Sequence, residues 1–257
     1  MEVVPLADAG EVARVAADAI ASLVARKPRA ALGVATGGTP RRTYEEVARR
    51  HAAGDISFTD VRLFLLDEYV DLPPGHDGSY LSTVLREVAE PWDVPLLQVH
   101  GPDPTRLPGS ADDYERLIAE LGGIDLQVLG IGSDGHLGFN EPGSSLASRT
   151  RIKTLTGRTR ADNAAYFGDE EVAHHVVTQG IGTILDARHL LLLATGVAKA
   201  EAVAAAVEGP ISASCPASVL QLHPHVTVLL DSEAASGLRR LDYYQEVYAG
   251  KPEWQGL

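Results

Sequence analysis

Sulfur and positive charge are both scarce in this chain of 257 residues. It holds one cysteine, Cys215, and one methionine, which excludes an internal disulfide framework and any zinc site built on several thiolates. Lys and Arg number 22 against 35 Asp and Glu, a net charge of −13. That balance argues against non-specific nucleic-acid binding, whose affinity comes from neutralising phosphates. No apolar run approaches the roughly 20 residues of a membrane-spanning helix. The opening MEVVPLADAGEV lacks the basic flank and apolar core of a signal peptide, so a soluble, cytoplasmic protein is expected. Repeats and low-complexity segments are missing as well. Apolar residues, by contrast, make up 45% of the chain, and at this length a core forms without metal or disulfide staples.

Those apolar residues fall into short β-type runs separated by amphipathic helical stretches. Strands are expected at 30–35 (AALGVA), 61–66 (VRLFLL), 125–131 (DLQVLGI), 189–194 (HLLLLA) and 225–230 (HVTVLL). A helix is expected over 9–26, where Val12, Val15, Ala16, Ala19, Ile20 and Leu23 share one face at 3- and 4-residue spacing. Another should run over 40–51, with Thr39 as its N-cap and Pro40 at the first helical position. Further helices read near 79–89, 110–121 and 198–207, and the proline-rich 99–108 (VHGPDPTRLP) reads as a surface connection. Near-continuous apolar strands alternating with helices imply an α/β fold. The expectation is a single doubly wound, mostly parallel, Rossmann-like sheet with helices on both faces, spanning 1–257. In such sheets ligands sit beyond the carboxyl ends of the strands, so the residues after each strand carry the functional signal.

After the first strand comes Thr36-Gly37-Gly38-Thr39-Pro40. Two glycines admit a ligand to the backbone, and the following helix points free N–H groups at it, an arrangement suited to a phosphate. The loop has neither the lysine of a P-loop nor dinucleotide-fingerprint spacing. After the second strand stand Asp67 and Glu68; in extended geometry their side chains point to opposite sides, leaving one for the crevice as a base and one for structural contacts. After the third comes GSDGHLGFNEPG, with Asp134, His136 and Glu141 among glycines. A histidine that moves protons needs an acceptor on its other nitrogen, and either Asp134 or Glu141 fits that role. A divalent metal is the competing use of such a set, but nothing in the spacing demands it. His174 and His175 are adjacent and do not share a face. No G-x-S-x-G elbow occurs. After the fourth strand, Lys199 falls in the first turn of a helix, a place that suits a cation only beside an anionic ligand.

Together these segments resemble the glucosamine-6-phosphate deaminase (isomerase) family. The resemblance is carried by LGVATGGTP, LDEYVDLP, LGIGSDGHLGFNEPGSSLASRTRIKTLT, QGIGTIL and EGPISASCPASVLQLHP, in the family's order across nearly the whole chain. It implies opening of the pyranose ring of D-glucosamine 6-phosphate, transfer of a proton from C2 to C1, and release of ammonia and fructose 6-phosphate. No metal or organic cofactor is implied, and the partner is a small sugar phosphate rather than nucleic acid or membrane. Carried over by motif, Asp67 is the base at C2. His136 assists ring opening, with Asp134 and Glu141 as the acidic pair that tunes it. Thr36, Gly37, Gly38, Thr39 and Lys199 receive the phosphate. The region around 155–178 corresponds to a mobile lid.

One departure stands out. The family carries an arginine that clamps the phosphate where this chain has Ala165, in DNAAYF. Arg158 or Arg160 from the same segment, a less phosphorylated substrate, or a substitution that weakens the enzyme would each account for it. Some family members are hexamers activated by N-acetylglucosamine 6-phosphate at a subunit interface; the matching positions are Ser144, Ser145, Arg151 and Lys153, with Tyr243 from the C-terminal segment. Arg151 and Lys153 share one face of an extended stretch. Two rival readings are a 6-phosphogluconolactonase-like hydrolase on the same fold and a non-catalytic sugar-phosphate sensor. The LDEY and FNEPGSSLASRTR segments favour the deaminase over the first. A sensor has no use for the set of Asp67, Asp134, His136 and Glu141.

Overall fold

Leu190, Leu191, Leu192 and Leu193 are all buried, and alternate members enter two different cores. A strand apolar on both faces belongs inside a sheet covered on both sides. In the computed structural model, which describes residues 1–157, 159–160, 164, 167, 171–252 and 255–256, this strand lies near the middle of such a sheet. In chain order the strands are β1 (Glu2–Pro5), β2 (Ala31–Val34), β3 (Arg62–Leu65), β4 (Asp67–Tyr69), β5 (Val99–His100), β6 (Leu126–Gly130), β7 (Arg151–Thr154), β8 (His175–Thr178), β9 (His189–Ala194) and β10 (Val226–Leu230). Seven form one sheet in the order β1-β10-β9-β6-β2-β3-β5, with every neighbouring pair parallel.

The helices are α1 (Ala9–Arg26), α2 (Gly38–Ala52), α3 (Tyr80–Val84, continued by a π turn over Leu85–Ala89), α4 (Ser110–Glu120), α5 (Ile181–Leu185), α6 (Ala200–Glu208) and α7 (Leu241–Ala249). One face of the sheet is covered by α1, α2 and the π turn, through Ile20, Tyr44 and Val88. The other is covered by α4, α5 and α6, through Tyr114, Ile184 and Val203. Among the described residues no helix is long and apolar enough to cross a membrane. From β2 the chain builds outward through β3 to β5; from β6 it builds the opposite way through β9 to β10. The reversal lies between β2 and β6, where a doubly wound sheet opens its ligand crevice.

All five expected strands lie in this sheet, but several expectations need correction. The stretch read as a surface connection begins with β5, which pairs with β3 at the sheet edge before the prolines end it. The second helix starts at Gly38 rather than Pro40, and its cap is Gly37, not Thr39. Gly37 takes φ 114°, a conformation closed to most side chains, so the chain turns into the helix two residues early. Lys199 sits in a short 3₁₀ turn, Val197–Lys199, immediately before α6.

The antiparallel sheet β4-β8-β7 was not expected. It covers a third core of Tyr69, Phe139, Leu155, Phe167 and Val176. Its strands are short, and β7 exposes alternate residues, which leaves little apolar signal in RIKT. Of the segment expected as a lid, 175–178 form β8, with Val176 and Val177 fully buried. Arg158 and Ala165 lie outside the described residues.

Candidate active site

The crevice is assembled from loops that leave the carboxyl ends of β2, β3, β6 and β9. Two of these loops are pinned by side chains of other elements. Tyr44, buried in α2, donates to Ala35 O at 2.8 Å and accepts from Ala35 N at 3.1 Å, which pins the end of β2 where Thr36, Gly37, Gly38 and Thr39 begin. The first turn of α2 carries no acidic residue, and Gly37 and Gly38 face open space. Thr39 Oγ1 lies 2.9 Å from Thr195 Oγ1 on the loop after β9. This contact brings together the two loops expected to receive phosphate, the one through Thr36 to Thr39 and the one leading to Lys199. Asp231 fixes the second loop by accepting from Gly196 N at 2.9 Å and Ala234 N at 2.8 Å.

Asp67 and Glu68 diverge as alternation along a strand requires. Glu68 turns toward α3 and accepts main-chain N–H bonds from Tyr69 (2.8 Å), Tyr80 (2.9 Å) and Leu81 (2.7 Å). Burial pushes its pKa up, and these three donors pull it back. It is a structural carboxylate. Asp67 is 6% exposed, and among the described residues no hydrogen-bond donor is aimed at its carboxylate. Burial first, and the neighbouring charge of Glu68 second, lift its pKa from the ordinary 3.8 to about 8. The loop carrying His136 packs directly on it: a Cβ placed on Gly138 would lie 3.4 Å from Asp67 Oδ2 and 2.9 Å from Thr178 Oγ1. Glycine at 138, at φ 56°, lets the loop approach this closely.

Of the two candidate partners for His136, the structure brings up Asp134, whose Oδ1 makes an ion-pair contact of 2.7 Å with His136 Nδ1, without hydrogen-bond alignment. The same oxygen accepts from His136 N at 3.2 Å. Glu141, expected as the second member of an acidic pair, accepts a hydrogen bond from Thr159 Oγ1. His136 is about a third exposed, so its other nitrogen is accessible for proton transfer. Among the described residues no group of three His, Cys, Asp or Glu side chains is arranged to hold a metal ion. His174 and His175 pair with Glu171 and Asp71 at 2.9 Å each. Arg160, a candidate substitute for the missing arginine, is 3.3 Å from Glu171.

The residues matched to the regulatory site lie on three segments. Arg151 and Lys153 share a face of β7, Ser144 is buried, and Tyr243 is exposed on α7, which packs along β1 at the far edge of the large sheet. Several residues of the site carried no sequence signal. Asn140, Thr178 and Gln179 are fully buried polar groups around the Asp67 junction, and what they do depends on main-chain groups distant in sequence.

The chain is similar to known proteins along nearly its whole length. A family model described as glucosamine-6-phosphate isomerases/6-phosphogluconolactonase matches residues 7–229. The chain is 57% identical over 261 residues to a glucosamine-6-phosphate deaminase of Streptomyces avermitilis. It is 55% identical over 260 residues to one of an Arthrobacter species. Each match covers 100% of both chains. A solved monomeric glucosamine-6-phosphate deaminase superimposes with a TM-score of 0.88 at 41% identity, covering 92% of this chain and 100% of that one. A 6-phosphogluconolactonase from Trypanosoma cruzi, with a TM-score of 0.75 at 23% identity over 93% and 97% of the two chains, shares the fold.

Proposed function

The chain belongs to the glucosamine-6-phosphate isomerase/6-phosphogluconolactonase family, and within it we propose that this protein is a glucosamine-6-phosphate deaminase acting in the cytoplasm without metal or organic cofactor. The observation that carries the reading is Asp67, a buried carboxylate at a strand end, flanked by the loop that bears the His136–Asp134 pair. A lactonase has no need of a carboxylate base for a carbon-bound proton.

The chemistry follows from what each group can do. His136, oriented by Asp134, shuttles a proton between the ring oxygen and the C1 hydroxyl and so opens the pyranose. The C2 proton of the open aldehyde is weakly acidic, and a carboxylate removes it only when held in contact and shielded from water. Asp67 takes it and returns it to C1, while a proton passes from the ammonium group to the C1 oxygen. C2 and its nitrogen are left joined by a double bond as an iminium, which water hydrolyses to the ketone and ammonia. The substrate's ammonium group, brought beside Asp67, favours the ionised carboxylate that burial alone opposes. The phosphate rests on the N–H groups and hydroxyls of Thr36 to Thr39, with Lys199 opposite. Glu141, whose Oε1 accepts from Thr159 Oγ1, ties the catalytic loop to the segment after β7 and completes, with Asp134, the acidic pair that tunes His136.

Activation by N-acetylglucosamine 6-phosphate through Ser144, Ser145, Arg151, Lys153 and Tyr243 belongs to this reading only in a hexamer. Ammonia release from glucosamine 6-phosphate, compared with release from glucosamine and with hydrolysis of 6-phosphogluconolactone, tests the proposal. Release confined to the phosphorylated amino sugar supports it; lactone hydrolysis without ammonia overturns it.

A further inference from the structure

Asp67 and His136 reach the crevice from segments far apart in sequence, and their separation has to be set by something. Asp67 follows β3 after a single residue, Leu66. The carbonyls at that junction are gathered by Gln179: its main-chain N–H donates to Leu66 O at 2.8 Å and its Nε2 to Leu65 O at 3.0 Å. Tyr114 Oη donates to the same Leu65 carbonyl at 2.7 Å. The carbonyl of Gln179 in turn accepts from Asn140 Nδ2 at 2.8 Å, and that nitrogen also donates to Leu137 O at 2.9 Å, next to His136. Both amide hydrogens of Asn140 are thus used, one on each segment. Arg151 Nη1, donating to Asn140 Oδ1 at 2.8 Å, fixes which way the amide points. Asn140 and Gln179 are both 0% exposed, and a buried polar network rigidifies what it joins.

We infer that Asn140 and Gln179 are positioning residues, which hold the Asp67 strand end and the His136 loop at one separation through main-chain contacts on either side. The inference rests on the deaminase reading above. Loosening the link moves the loop off Asp67, admits water to the carboxylate and lengthens the reach from base to C2.

The test uses full-length Asn140→Ala and Asn140→Leu beside the wild type, with glucosamine 6-phosphate and its C2-deuterated form as substrates, because Gln179 joins Leu66 and Asn140 through main-chain atoms that a side-chain change leaves in place. Asn140→Leu keeps the side chain's bulk while removing both Nδ2 bonds, so its fold should persist where the cavity left by Asn140→Ala destabilises it. The expected result is a fall in kcat of about 10²-fold from misplacement of the base. KM should stay close to the wild-type value, the C2-deuterium isotope effect on kcat should rise, and the acid limb of the pH profile should move to lower pH. A variant that melts cooperatively and keeps wild-type kcat overturns the inference. So does one whose kcat falls with isotope effect and pH profile unchanged, since that is only a smaller folded fraction. A wild-type protein that releases no ammonia overturns the deaminase reading, and this inference with it.

Discussion

Two neighbouring carboxylates with opposite fates define the site at the scale of single residues. Glu68 is surrounded by N–H donors, whereas Asp67 faces the crevice without one and keeps its proton to about pH 8. The rate constant kcat/KM, which reports the free enzyme, should therefore rise with pH through about 8, and a pH–rate profile flat across that region would contradict it. The linkage runs the other way for stability. Asp67 binds its proton more tightly folded than unfolded, so its contribution is complete below the unfolded value of 3.8 and is lost as pH climbs through about 8. Asn at this position cannot ionise; Asp67→Asn should melt above the wild type at alkaline pH, and by less near pH 4, in parallel thermal scans. At position 165 the expected gain is in binding. Ala165→Arg should add a charge-assisted phosphate contact of about 1.5–3 kcal/mol, a drop in KM of roughly ten- to a hundredfold, read by steady-state kinetics. Asp67, Asp134 and His136 were legible because they directly follow strands that announce themselves. Asn140 and Gln179 were not, because what they do depends on carbonyls distant in the chain.

Among the elements, one acidic side chain ties the start of β7 to the helices that cover the large sheet. Glu115 on α4 accepts hydrogen bonds from Thr150 N, Thr150 Oγ1 and Thr183 Oγ1, and an ion pair from Arg149. Burial raises its pKa, but the donors more than offset this, and the carboxyl titrates below the usual range. The bond network is therefore complete at neutral pH and lost as pH falls through that lowered value. Glu115→Gln should cost about 1.5–3 kcal/mol of stability, measured by denaturant titration; a loss well below that would mean β7 is held by its strand pairing and the Arg151–Asn140 bond instead. The central strands could be read from apolar runs buried on both faces. β5, two residues long, leaves no hydrophobic imprint; β7 was legible only as an extended stretch through Arg151 and Lys153, and its pairing in a second sheet was not, because it exposes alternate side chains to solvent.

For the whole molecule, the reversal of strand order between β2 and β6 gathers four loops into one crevice; the doubly wound sheet was legible in the alternation of strands and helices, and the strand order was not. Assembly was not legible either, since a subunit interface needs only a patch of surface. Sedimentation at micromolar protein tests the regulatory reading: a hexamer activated by N-acetylglucosamine 6-phosphate supports a site at Arg151 and Lys153, and a monomer with hyperbolic kinetics disposes of it. The account as a whole depends on Asp67 removing a carbon-bound proton. The direct measurement is loss of label from C2-deuterated glucosamine 6-phosphate, followed by NMR for the wild type and Asp67→Asn under conditions where both bind the sugar. The wild type should wash out or transfer the label as ammonia appears, and Asp67→Asn should do so slower by roughly 10²–10⁴-fold. Label loss at the wild-type rate in Asp67→Asn would contradict the assignment.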